Sequence, residues 1–157
     1  MHPAVAGLGF LLGTWSGEGE GTYPTIETFG FSEESVYWHM GKPFIGYRQR
    51  TWRTDGQPSH SESGYWRCPE EGRVELVMAH ANGIVEISEG HFEGAVITVE
   101  STVMAGTSTA KDVTSVARRI TVDGDDLRYA LDMAAVGIPL RSHLVAGLRR
   151  VGAKNSM

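Results

Sequence analysis

GTWSGEGEGTYPT, Gly13 to Thr25, sets a single tryptophan among four glycines. Gly13, Trp15, Gly17, Gly19 and Gly21 fall at every second position, so in an extended chain they share one face. A strand so bare on one side can coil tightly where a sheet turns a corner, and Trp15 is the one bulky group on that face able to plug an end. A flexible glycine loop has no reason to keep a two-residue period. Thr14 to Thr22 is therefore read as a first strand, closed by the turn at Pro24.

Outward from this stretch the same rhythm continues. Short alternating or β-branched runs recur at Ile26 to His39, Phe44 to Trp52, Ser61 to Cys68, Arg73 to His80 and Ile84 to Gly90, then at Ala95 to Met104, Val113 to Val122, Asp126 to Ala135 and Arg141 to Val151. Asn82-Gly83 and Asp123-Gly124 sit where tight hairpins are needed. In the second run Phe29 and Phe31 are in one phase and Val36 and Trp38 in the other, which predicts a bulge between Ser32 and Ser35. Pro24, Pro43, Pro58, Pro69 and Pro139 all fall between the proposed strands, where no ladder donor is lost. About ten antiparallel strands with short connections leave two aggregation-prone edges unless the sheet closes. The expected fold is all-β: an up-and-down barrel of the calycin or fatty-acid-binding-protein kind, with a short helix before Gly13, forming one domain over residues 1–157. A barrel of this size keeps an interior for a ligand.

Composition narrows the function classes. A net charge of −5 opposes nonspecific binding to nucleic acid, and the Arg118-Arg119 and Arg149-Arg150 pairs read as solvated strand faces. Cys68 is the single cysteine, so no intrachain disulfide forms. The apolar start MHPAVAGLGFLLGTW lacks a basic n-region, and no run approaches the ~20 apolar residues of a membrane helix. These features set the expectation of a cytoplasmic chain with no membrane partner.

None of the six histidines shows the i, i+4 or Cys-x-x-Cys spacing of a zinc site, and GxSxG, P-loop and dinucleotide fingerprints are missing, so none of those chemistries is expected. His143, in PLRSHLVAGL, has a different setting. Val145 and Gly147 are assigned to its face, leaving room beside the imidazole for a planar metallocofactor. From the setting alone, a hydrogen-bonded or exposed histidine is the first reading.

Four ordered stretches decide between these. GTWSGEGEGTYPT resembles the GxWxGxG motif of the nitrobindins, filled by Gly13, Trp15, Gly17 and Gly19. QPSHSESGYWR (Gln57 to Arg67), ANGIVEISEGHFEG (Ala81 to Gly94) and PLRSHLVAGLRRV (Pro139 to Val151) are similar to further stretches of that family in the same order. The resemblance implies a heme-binding β-barrel holding one b-type heme per chain. It makes His143 the axial ligand of the iron and the catalytic residue, lays Thr25 against the heme and puts His60 on the distal side. It further implies ferric iron that binds nitric oxide and isomerises peroxynitrite to nitrate, with these small molecules as partners; monomer and homodimer stay open. One departure is His80 in AHANG, where several relatives carry glutamine, which bears on the polarity of the pocket mouth. The competing reading is a heme-free carrier of a lipid or small hydrophobic ligand, with Arg48 or Arg50 and Tyr129 holding a carboxylate head group. That reading leaves His143 idle.

Overall fold

The computed structural model describes residues 1–152; residues 153–157, the end of the expected domain, lie outside the described residues. Ten strands follow a 3₁₀ helix at Pro3–Leu11: β1 Gly13–Tyr23, β2 Ile26–Trp38, β3 Ile45–Arg53, β4 Pro58–Arg67, β5 Arg73–His80, β6 Ile84–Glu93, β7 Val96–Gly106, β8 Val113–Asp123, β9 Asp126–Ala135 and β10 Ile138–Gly152. Each strand pairs antiparallel with its sequence neighbours, and β1 also pairs with β10, which closes the barrel. Closure gives both outer strands a partner, although the β7–β8 ladder is short, running only from Val96–Thr121 to Glu100–Ala117. The expected hairpins form with left-handed glycines, Gly83 at φ 89° and Gly124 at φ 59°.

The glycine face of β1 points inward, and its bareness has two uses. The rings of Phe31 and Phe29 lie on Gly19 and Gly21, where an added Cβ would come within 2.3 and 2.2 Å of them. At Gly17 a Cβ would come within 2.1 Å of the Gly147 carbonyl oxygen on β10, so here the bend itself excludes a side chain. Trp15 is fully buried with Val5, Leu8 and Leu11 of the 3₁₀ helix, and its indole N–H donates to the Leu11 carbonyl at 2.7 Å. Each of these apolar side chains contributes about 1.5–3 kcal/mol on burial, so the leader is a working plug for one end.

Three sequence readings need correction. No bulge interrupts β2 at Ser32 to Ser35; its ladder with β3 is continuous from Phe31 to Trp38. Phe31, Glu33, Ser35 and Tyr37 form one unbroken inward phase instead, because the interior accepts hydrogen-bonded polar groups. Pro58 opens β4 and Pro139 lies inside β10 rather than between strands. A first strand position needs no ladder donor, and β10 is irregular between Ile138 and Arg141, so neither proline removes a bond. Arg118 and Arg150 are not solvated: Arg118 is buried inside the barrel, and Arg150 lies 4.0 Å over the Trp15 ring while donating to the Phe10 and Leu12 carbonyls. In each case a partner inside the fold outweighs the cost of leaving water.

The up-and-down order puts every odd-to-even turn at the end opposite the plug. Between the two ends the interior changes from apolar, around Trp15, Trp66 and Leu127, to a belt of buried polar side chains, and then to a cavity.

Candidate functional site

The cavity has a volume of about 240 Å³ and takes in residues from β2 round to β10, with Phe31, Met104, Val116, Leu131 and Leu144 giving it apolar walls. His143 lines it. The strand pairing shifts between Ser142 and Leu144, and this bulge turns two consecutive side chains, His143 and Leu144, toward the same interior. The sequence reading placed Val145 and Gly147 beside His143. In the structure the bulge sends both to the outer surface, and Ala146 and Leu148 point inward. Room beside the imidazole comes from the cavity rather than from small neighbours on its strand.

His143 is held in one orientation. Its Nδ1–H donates to the Thr22 carbonyl oxygen at 3.0 Å, which leaves Nε2 as the nitrogen with a free lone pair. The Tyr23 ring meets it edge-on at a centroid distance of 5.4 Å. Tyr23 is in turn tied to β9, its hydroxyl donating to the Met133 carbonyl and accepting from the Ala135 N–H. Burial and the nearby Lys111 push the imidazole below its ordinary pKa, more than the Thr22 hydrogen bond raises it. The ring is neutral at neutral pH, as metal coordination requires. A neutral imidazole of fixed tautomer on an apolar wall fits the proximal side of a heme.

The other expected residues fall differently. His60, on β4, lines the cavity nearly across the barrel from β10. Thr25 is exposed in the β1–β2 turn, outside the cavity lining, three residues from the carbonyl that holds His143. Gly13, Trp15, Gly17 and Gly19 shape the plugged end and the β1 wall rather than the cavity. Arg48 and Arg50 point outward, so the head-group site imagined for a lipid carrier does not form from them.

The polar belt under the cavity escaped the sequence reading. Glu62 accepts a hydrogen bond from Tyr47 at 2.8 Å, and Glu86 accepts from Arg118 at 2.7 Å and from Ser88 at 2.6 Å. Glu33 accepts from Ser35, Gln49 and Tyr129. Burial pushes all three carboxyls up. For Glu33 burial prevails, whereas Arg118 reverses it for Glu62, held well below the usual range, and for Glu86, held at about 2. Burial lowers His80, but its bonds to Glu62 and Glu86 outweigh this and raise it to about 9. Two buried anions therefore face two buried cations. Alternation carried the signal: the inward phase of β4 reads His60, Glu62, Gly64, Trp66, and that of β6 reads Ile84, Glu86, Ser88.

Fold and site together define a closed antiparallel barrel whose interior cavity is lined by His143 on one side and by His60 and His80 on the other, the class of a ligand-binding β-barrel. A family model described as the THAP4-like, heme-binding beta-barrel domain matches residues 4–150, and the chain belongs to this family, which bears out the nitrobindin resemblance. It is 50% identical over 155 residues to "Peroxynitrite isomerase 2" of Mycobacterium marinum, covering 96% of each chain. It is also 50% identical to "Peroxynitrite isomerase" of Nocardia farcinica, covering 96% of this chain and 92% of that one. The crystal structure of Rv2717c from M. tuberculosis superposes with a TM-score of 0.90 at 47% identity, covering 96% of this chain and 98% of that one. Among the described residues no helix is long and apolar enough to cross a membrane.

Proposed function

We propose that this chain is a heme-dependent peroxynitrite isomerase, with His143 as the axial ligand through Nε2. The observation that carries the assignment of the ligand is the bulge at Ser142–Leu144, which turns a neutral imidazole, already anchored by Thr22, into an apolar cavity. A heme held there by His143 would supply ferric-iron chemistry for converting peroxynitrite to nitrate and for binding nitric oxide. The chain's own part is positional. The Thr22 carbonyl fixes the tautomer of His143, and the Tyr23 ring limits its rotation. His60 and the half-buried mouth of the cavity form the distal side, and Thr25 in the β1–β2 turn forms the rim beside the proximal histidine.

Isomerisation leaves atoms and electrons unchanged, so it asks for no second substrate. One cavity suffices. We place the activity in the cytoplasm, in keeping with the single cysteine.

Rapid mixing of peroxynitrite with the hemin-loaded chain tests the function. Decay accelerated in proportion to protein, with the minor nitrite share of the products falling in favour of nitrate, is expected. An unchanged decay rate with fully loaded protein contradicts the assignment.

A further inference from the structure

His60, Glu62 and His80 make a second constellation, on the β4–β5 side of the cavity, across the barrel from His143 on β10. His60 and Glu62 are two apart on β4 and share its inward face; Glu62 and His80 are directly paired across β4 and β5. Helix-type spacing rules do not find such a set, because in a sheet the neighbours on one face are i, i+2 and the residue opposite.

His60 Nε2 lies 3.2 Å from Glu62 Oε2, His80 Nδ1 lies 3.1 Å from the same oxygen, and the two nitrogens are 3.4 Å apart. Two nitrogens and one oxygen thus form a nearly equilateral triangle. Bonds of about 2.0–2.1 Å to a small divalent ion place neighbouring donors about 2.9 Å apart at right angles and about 3.4 Å apart at the tetrahedral angle. The observed edges span that interval.

The groups behind the triangle are arranged as metal sites require. Glu62 Oε1 is occupied by the Tyr47 hydroxyl at 2.8 Å, with Arg118 Nη1 at 3.7 Å, which leaves Oε2 for the centre. His80 Nε2 is 3.0 Å from Glu86 Oε1, an outer carboxylate that fixes the imidazole with Nδ1 toward the triangle. The Thr51 hydroxyl accepts from the His60 backbone N–H at 3.0 Å and pins that end of β4. All three donors line the cavity, so the fourth position opens into it.

We infer that His60, Glu62 and His80 bind one divalent transition-metal ion of borderline softness, Zn²⁺ or a cation of similar size, as a two-histidine, one-carboxylate face. The ion is additional to the heme iron and its ligands do not include His143. Two imidazoles and a carboxylate suit this class of cation better than Ca²⁺ or Mg²⁺, which prefer all-oxygen shells.

The test is a titration of the full chain as isolated, after chelator treatment, with Zn²⁺ in competition with a chromogenic chelator. Co²⁺ serves as a spectroscopic probe of coordination. One equivalent of Zn²⁺ per chain is expected, with affinity falling as pH is lowered because the ligands must lose protons. His60→Ala and His80→Ala should each weaken it at least about 10-fold, and Glu86→Gln by about 10-fold through the loss of its hold on His80. His60 is a third exposed, so its variant keeps the test valid where a deeper one fails to fold; a thermal melt checks this. His143→Ala should bind Zn²⁺ as the parent does, which separates this site from the heme assignment. No stoichiometric binding, or binding undiminished in the His60→Ala, His80→Ala double variant, overturns the inference.

Discussion

Arg118 shows what a single side chain does inside this barrel. It is 9% exposed, donates to both Glu86 oxygens and approaches Glu62 at 3.7 Å. Burying one guanidinium alone costs several kcal/mol; between two carboxylates it offsets one of their two charges, and His80 offsets the other. Arg118→Leu removes that cancellation and leaves Glu62 and Glu86 with only His80 between them. A loss of about 3–5 kcal/mol is expected, read from the urea midpoint. A loss under about 1 kcal/mol would show that water or protonation neutralises the belt without it. His143 is the opposite case, a histidine kept neutral by burial and held by one carbonyl. Its position was legible in the sequence through the four ordered stretches. Its means of orientation was not, because a one-residue bulge leaves no mark in the alternation of RSHLVAG.

At the scale of strands and turns, nearly all of the barrel could be read from the period of two. β5 and β9 have the bounds expected from sequence, and the other strands differ from expectation by up to three residues at each end. The error in β2 had a definite cause. The apolar set passes from Phe29 and Phe31 to Val36 and Trp38, whereas the inward phase runs on through Glu33 and Ser35, polar residues that carry no apolar mark of it. The same lack of an apolar mark put Arg118 in solvent and hid Glu62 and Glu86. An inward polar residue is legible only when its partners are known, and here they come from strands far apart in sequence, as with Tyr129 and Glu33. The β9–β10 turn holds one element-level cost. Val136 takes φ 48° ahead of Gly137 at 79°, a left-handed pair in which a β-branched residue is disfavoured. Val136→Gly or Val136→Asn should raise the unfolding free energy by about 1 kcal/mol, seen as a higher thermal midpoint. A lower midpoint would mean that the Val136 side chain contributes packing that outweighs its backbone strain.

For the whole molecule, the polar belt links stability to pH. His80 in the folded chain sits at about 9, above its ordinary 6.5, so its contribution is complete below pH 6.5 and is lost as pH rises through 9. Glu86 sits at about 2, below 4.5, so its contribution holds above pH 4.5 and is lost as pH falls toward 2. His143, kept neutral by burial, adds to the loss below pH 6.5. The metal-free, heme-free chain should therefore lose stability in both directions from about pH 6.5, with an alkaline slope of up to about 1.4 kcal/mol per pH unit. His80→Gln should flatten that alkaline arm; an arm that persists would place the titration elsewhere. The molecule thus has three layers with separate tasks: an apolar plug around Trp15, a charge-balanced belt around Arg118, and a cavity that offers His143. The claim on which its function rests is that this one imidazole holds the heme. Hemin titration of the chain and of His143→Ala, followed by the Soret band, tests it most directly. One hemin per parent chain is expected, with a band that shifts on adding nitric oxide and no stoichiometric uptake by the variant. An unchanged Soret spectrum and full uptake in His143→Ala would contradict it.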